Sequence, residues 1–274
     1  MTSPHTYQAQ AIAIKQAKFG ETDKIITLFT AESGKLRAIA KGACRPGSKL
    51  GGNVEPPNYS LVMLAKGRNL DIITQVQTVE GFLELKGDLW RVSCAFYVLE
   101  LVDAFTVSGS PSQPLFDLLL DTLKRLCRDE RAETALRYFE LQLLHHSGYR
   151  PQLQRCVICN SPLKKGVNFF SSAQGGVVCP GCNREEFMSR PVSVDALKVL
   201  RLWQNCDYAT ASRVKLSSPL CLELRQLVPG YITHLLQKEV KSLAWLEEVR
   251  RSRALTADTG QTKIAPKIAT DGKV

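Results

Sequence analysis

Four cysteines carry the clearest chemistry in the chain. Cys156 and Cys159 lie in Arg-Cys-Val-Ile-Cys-Asn, Cys179 and Cys182 in Val-Cys-Pro-Gly-Cys-Asn, with 19 residues between the inner pair. Each Cys-x-x-Cys knuckle can place two thiolates on one metal ion, and the spacer is long enough to leave as one strand and return as another. Val167 to Ser171 and Gly176 to Val178 are short apolar runs around the turn-prone Ala-Gln-Gly-Gly. The pattern predicts a zinc ribbon holding one Zn2+. Four sulfur ligands close the tetrahedron and leave no position for water or substrate, so the expected zinc is structural. A redox role for the two Cys-x-x-Cys pairs is the competing reading. Base-modifying zinc enzymes that share a Pro-Cys-x-x-Cys knuckle also need a His-x-Glu partner, which is missing here. His145 and His146 sit where a helix should end at Gly148, a position that suits polar or cationic side chains.

A second set of residues could meet phosphate. Lys35, Arg37 and Lys41 alternate with Leu36, Ala38 and Ala40, which puts cations on one face of a strand and apolar groups on the other. Arg45-Pro-Gly-Ser-Lys49 continues the basic run in the next loop, and Lys66 and Arg68 occupy a later hairpin tip. Cations, a hydroxyl and loop amides can all bind phosphate oxygens, although cations on a solvent-facing strand are also ordinary surface. Only Tyr7, Phe19, Phe29 and Tyr59 offer rings in this region, and Phe29 reads as core. Binding here should lean on phosphates, with little base preference and steep salt dependence.

Catalytic signatures are missing. There is no Gly-x-x-x-x-Gly-Lys-Ser/Thr loop, no His-Glu-x-x-His and no Gly-x-Ser-x-Gly elbow. The chain reads as a non-enzyme.

The elements that must position these groups follow from periodicity. Residues 1–80 alternate with period two between Gly, Asn and Pro signals, giving strands at Gln8–Ile14, Lys24–Thr30, Lys35–Lys41, Tyr59–Leu64 and Asp71–Val79. Five short strands with the longest connection after the third suit a small closed barrel, either oligonucleotide-binding (OB) or SH3-like. Then the period changes. Phe82, Leu85, Leu89, Val92, Phe96 and Leu99 step by three and four along one expected helix face. A second helix should open at Pro111-Ser112 and a third run from about Glu130 to His146. After the ribbon, at about residues 153–190, Ser193 reads as an N-cap. Ser218-Pro219 opens a long run that Pro229 should kink or split. The helical domain is expected over residues 81–252 with the ribbon as an insert, and residues 253–274 as a disordered tail. The fold class expected is α+β and multidomain.

Composition agrees with this division. The 274 residues carry a formal charge of +10, which points to an acidic partner. Residues 1–80 hold ten Lys and Arg against six acids, and residues 191–274 hold thirteen against eight. Nine cysteines without a signal-like segment argue for a reducing, cytoplasmic setting, and no apolar stretch is long enough to span a membrane.

As a set, the motifs resemble a known family. Phe19-Gly-Glu-Thr-Asp-Lys24, Thr27-Leu-Phe-Thr30, Gly34-Lys35, the basic segment Ala40 to Lys49, the passage Leu144 to Pro151 and the four-cysteine pattern with Gly175-Gly176 are similar, in order and spacing, to the bacterial DNA repair and recombination family RecO. The resemblance implies an N-terminal five-stranded OB-fold β-barrel, an α-helical domain with an inserted four-cysteine zinc ribbon, and no nucleotide hydrolysis. It implies binding of single- and double-stranded DNA, annealing of complementary strands, and loading of recombinase together with RecR on DNA coated by single-stranded DNA-binding protein, whose tail is a further expected partner. It also implies a nucleoid-associated location. On this basis Lys35, Arg37, Lys41, Arg45 and Lys49 would contact phosphates, with Lys66 and Arg68 extending the surface. The alternative is a zinc-ribbon adaptor whose main role is protein interaction.

Overall fold

A computed structural model describes residues 6–128 and 131–259. Five strands come first: β1 (Thr6–Phe19), β2 (Asp23–Thr30), β3 (Gly34–Ala40), β4 (Tyr59–Ala65) and β5 (Asp71–Glu80). They close into a barrel in the order β1-β2-β3-β5-β4, with β1 pairing β4 and β3 pairing β5 in parallel. That parallel closure resolves the two barrel types left open by the sequence in favour of the OB arrangement. Inside, Ala9, Ala11, Ile26, Leu28, Ala38, Val62, Leu64 and Ile73 form the barrel core. Small alanines where two strands face each other let so narrow a barrel close.

β1 outruns its expected end at Ile14. A bulge between Ala13 and Lys15 shifts the register and carries the strand on to Phe19. Ile12 faces the helices by ordinary alternation with the inward Ala11 and Ala13, and Ile14, the extra residue of the bulge, joins it there with Phe29, Ala31 and the helical core. The outer face of the barrel thus packs into the helical core, while the barrel interior keeps an apolar core of its own.

The helices are α1 (Leu83–Lys86), α2 (Leu89–Phe105), α3 (Gln113–Arg128) and α4 (Ala132–His146). The expected start of the third helix at Glu130 lies outside the described residues. The predicted inward face of α2 is corrected: Leu89 and Phe96 are exposed, while Cys94, Tyr97, Val98, Leu101 and Val102 are buried with Leu99. Asp88 caps α2 through the backbone N–H of Arg91, so the step from Leu85 to Leu89 crosses a helix break. The helix itself packs on β1, α3, α4 and the last helix, and a helix apolar on several sides gives periodicity no single phase.

After α4 come β6 (Asn168–Ser171), β7 (Gly176–Val178), a single 3-10 turn at Glu185–Phe187 and β8 (Arg190–Val192), a strand not anticipated from the sequence. These strands make a three-stranded sheet in the order β7-β6-β8. Next are α5 (Val194–Trp203), α6 (Tyr208–Ala211), α7 (Ser218–Leu236) and α8 (Lys241–Thr259). Ser193 and Ser217 cap α5 and α7. Pro229 does not split α7, because Leu224, Leu227, Val228, Tyr231 and Ile232 on both sides of it bury into the same core. The tail expected from residue 253 is also corrected, since α8 continues to Thr259; residues 260–274 lie outside the described part.

Candidate metal centre and nucleic-acid interface

The cysteine knuckles are positioned by backbone hydrogen bonds. Cys156 N–H donates to Ser161 O and Asn160 N–H to Cys156 O, each at 2.9 Å, closing the first knuckle with Asn160 at φ 55°. Cys182 N–H donates to Cys179 O at 3.0 Å in the second. Val157 N–H reaches Val177 O at 2.9 Å and ties the first knuckle to β7. Gly176 permits this approach, since a Cβ there would lie 2.4 Å from Gln152 O.

The four Sγ atoms of Cys156, Cys159, Cys179 and Cys182 all lie within 4.8 Å of one another, and those of Cys159 and Cys179 are 3.9 Å apart. Zinc–sulfur bonds of about 2.3 Å in a tetrahedron require sulfurs about 3.8 Å apart. The donor set therefore fits a tetrahedral thiophilic ion. Burial opposes ionisation of Cys156, but the backbone N–H groups of Cys179, Cys159 and Ile158 outweigh it and lower the thiol pKa. Hydrogen bonds from Ser161 bring Cys159 down to about 6, while hydrogen bonding to Cys159 and Cys179 pushes Cys182 up to about 12. Crowded sulfurs resist joint ionisation, and a divalent cation removes that resistance. His145 and His146 end α4 and do not join the sulfur cluster.

The ribbon is docked, not pendant. Phe170 meets Tyr231 of α7 edge to face at 5.6 Å, Arg201 Nε donates to Leu153 O at 2.8 Å, and Gln204 Nε2 donates to Pro151 O at 3.0 Å.

On the barrel, the structure separates the predicted cations. Arg37, Lys41, Arg45 and Lys49 are exposed. Lys35 is not free: with only 14% of its side chain exposed, its Nζ donates to the backbone O (2.5 Å) and Oδ1 (3.0 Å) of Asp103 in α2. Lys66 pairs with Asp71 at 3.7 Å and lies over the Tyr7 ring, while Arg68 is exposed in the β4–β5 loop. Gly42 N–H donates to Asp23 Oδ1 at 2.8 Å, which anchors the basic loop. That bond first, then Thr22 and the cations Lys41 and Arg45, holds the Asp23 carboxyl below its usual range.

Lys15 was not among the cations expected from the sequence. The extended β1 places it opposite Thr27, which itself pairs with Arg37. Lys15 Nζ is 3.3 Å from Asp103 Oδ2. Burial raises the Asp103 pKa, but Lys35 and then Lys15 outweigh it and keep it lowered. The period-two pattern could have found Lys15 had the bulge been visible; nothing local in the sequence marks it.

An OB-type barrel whose outer face packs into a helical domain carrying a four-cysteine ribbon defines the class of protein. Two family profiles match the chain, "Recombination protein O N terminal" over residues 1–82 and "Recombination protein O C terminal" over residues 86–244. A protein named DNA repair protein RecO from Dehalococcoides mccartyi strain BAV1 is 38% identical over 250 residues, 91% of this chain and 98% of the relative. Proteins of that name from Roseiflexus sp. strain RS-1 and Desulforamulus reducens are 36% and 35% identical, over 89% and 90% of this chain and 86% and 96% of their own lengths. The chain belongs to the RecO family, which assigns it to DNA repair and recombination.

Proposed function

We propose that this protein is a non-catalytic recombination mediator that binds single- and double-stranded DNA, anneals complementary strands without ATP, and acts with RecR to load recombinase. The observation that carries this reading is the exposed strip of Arg37, Lys41, Arg45 and Lys49 on β3 and its following loop. The second and third strands of an OB barrel, with the loop between its fourth and fifth, are the usual oligonucleotide face, and Arg68 stands on that loop. Cations on two strands' phosphates reduce their mutual repulsion, so base pairing can supply the remaining free energy. The ribbon holds one structural Zn2+ and keeps the helical domain ordered.

A groove of about 540 Å3 lined by Leu89, Trp90, Trp245, Leu255 and Arg253 favours a protein-binding role beside DNA binding. Trp245 and Leu255 are 41% and 67% exposed. The acidic, apolar tail of single-stranded DNA-binding protein is a fitting occupant, although Asp88 and Glu248 also line the groove. Among the described residues no helix is long and apolar enough to cross a membrane, and we place the protein at the cytoplasmic nucleoid.

The deciding experiment mixes the protein with two complementary labelled oligonucleotides and follows annealing by energy transfer across a salt series. Salt-sensitive acceleration without ATP is expected. Binding without annealing would favour the adaptor, and neither activity would remove the barrel face from the proposal.

A further inference from the structure

The groove between the outer face of the barrel and the end of α2 has a volume of about 390 Å3 and is lined by Lys15, Thr27, Lys35, Arg37, Asp103 and Ser108. Three cations from two strands face a single acid there. Asp103 divides its carboxylate between them, one oxygen 3.0 Å from Lys35 Nζ and the other 3.3 Å from Lys15 Nζ. Arg37, beside them, has no carboxylate within ion-pairing distance among the described residues, and it is exposed. A carboxylate bridging two ammonium groups in an open basic groove has the charge and the acceptor geometry of a backbone phosphate.

We propose that Asp103 is an internal competitor of DNA: it occupies the place of a phosphate between Lys15 and Lys35, and a strand entering the groove displaces it. This rests on the reading that the barrel face binds DNA, and it adds a residue that sets the strength of that binding. Lys35 remains held after displacement, because its Nζ also donates to the Asp103 backbone O at 2.5 Å. Lys15, with 64% of its side chain exposed, is free to swing to the strand. The ion pair keeps the groove weak, which suits a protein that must release one strand to pair it with another.

The test uses the full chain, a fluorescent single-stranded oligonucleotide of mixed sequence and anisotropy across a salt series, with thermal melting as a control for folding. Asp103→Asn keeps an acceptor for Lys35 and removes the charge. Its expected effect is about threefold to tenfold tighter binding at moderate salt, and a log–log salt slope steeper by about 0.7 for each further phosphate neutralised. Adding Lys15→Gln to that variant should undo most of the tightening. Unchanged or weaker binding by a folded Asp103→Asn overturns the proposal. Should that variant not fold, Lys15→Gln alone decides, since a shallower slope supports the groove and an unchanged slope overturns it. The triple variant Arg37→Gln, Lys41→Gln, Arg45→Gln separates the two ideas. If the triple variant leaves the slope untouched, the barrel-face reading itself fails; if it flattens the slope while Asp103→Asn changes nothing, only the competition fails.

Discussion

Gly34 and Ser110 meet backbone to backbone across the junction of barrel and helices: a Cβ on Gly34 would lie 2.1 Å from Ser110 O, and Gly34 already sits at φ +64°. The neighbouring Gly109 N–H donates to Lys35 O at 3.1 Å, and Ser108 bridges to both Gly34 and Lys35. The turn that reverses β2 into β3 is thus also the seat of the α2–α3 connection.

Gly34→Ala should therefore cost far more than a surface turn substitution. Left-handed backbone strain contributes about 1 kcal/mol, and displacing the Ser110 backbone about 1 to 3 kcal/mol more. The expected loss, about 2 to 4 kcal/mol, is read from the urea midpoint. Because Ile12, Ile14 and Phe29 of the barrel share a core with α2 and α3, barrel and helices should shift together. A loss confined to one spectroscopic probe would show that the two parts unfold separately.

Cys156→Ser combined with Cys179→Ser leaves two thiolates, too few to close a tetrahedral site. Bound zinc should fall from one per chain to none in a colorimetric release assay, and chelator should destabilise the unaltered protein while leaving the variant untouched. The effect reaches the helical domain because Leu153, Phe170, Val177 and Val192 of the ribbon lie in its core. Full zinc retention would mean that other ligands hold the metal.

Arg37→Gln, Lys41→Gln and Arg45→Gln together should weaken oligonucleotide binding to a similar degree across sequences and flatten the salt slope by about 2, three phosphates at about 0.7 each for single strands. A loss restricted to particular sequences would show base readout, which these residues are not placed to give.

Where structure could be read from sequence, the signals were local. The cysteine spacing, the alternation of β3, the Ser193 cap of α5 and the Ser218-Pro219 start of α7 each lie within a few residues of what they specify. What escaped depends on distant partners. Lys35 and Arg37 look equivalent along the strand, yet Asp103, 68 residues away from Lys35, takes one and leaves the other. The register of β1 hinges on a bulge that no residue type announces. α8 begins without a local cap: Lys241 and Ser242 donate their N–H groups to Glu100 of α2 at 3.1 and 2.7 Å, from more than 140 residues away in sequence.

Glu100→Ala tests that last relationship. Losing a carboxylate that satisfies two free N–H groups at a helix N-terminus should cost about 0.5 to 2 kcal/mol. It should also speed proteolysis near the start of α8, which is further tied to α2 by the 3.0 Å hydrogen bond from Trp245 Nε1 to Ser93 Oγ and by Arg250 and Arg253 lying over the Trp90 ring. Unchanged cleavage would show that packing alone seats the helix.

Glu140 is the most consequential titratable group in the helical core. It is fully buried on α4, 2.5 Å from the equally buried Arg137 guanidinium, and accepts a 2.6 Å hydrogen bond from the Tyr97 hydroxyl. Burial pushes its carboxyl up to about 7, against the pull of Arg137 and Tyr97. The unfolded chain releases this proton near about pH 4.3, so between there and about 7 the native state holds more protons than the unfolded one. The contribution of Glu140 to stability is therefore fully present below about pH 4.3, falls as pH rises to about 7, and is level above that. At about 1.4 kcal/mol per pH unit the total is a few kcal/mol. Glu140→Gln cannot titrate and should remove this part of the slope, gaining on the unaltered protein between about pH 4.3 and about pH 7 in urea unfolding. A difference between the two that stays constant with pH would mean that Arg137 keeps the carboxylate ionised throughout, and that the pair outweighs its own burial.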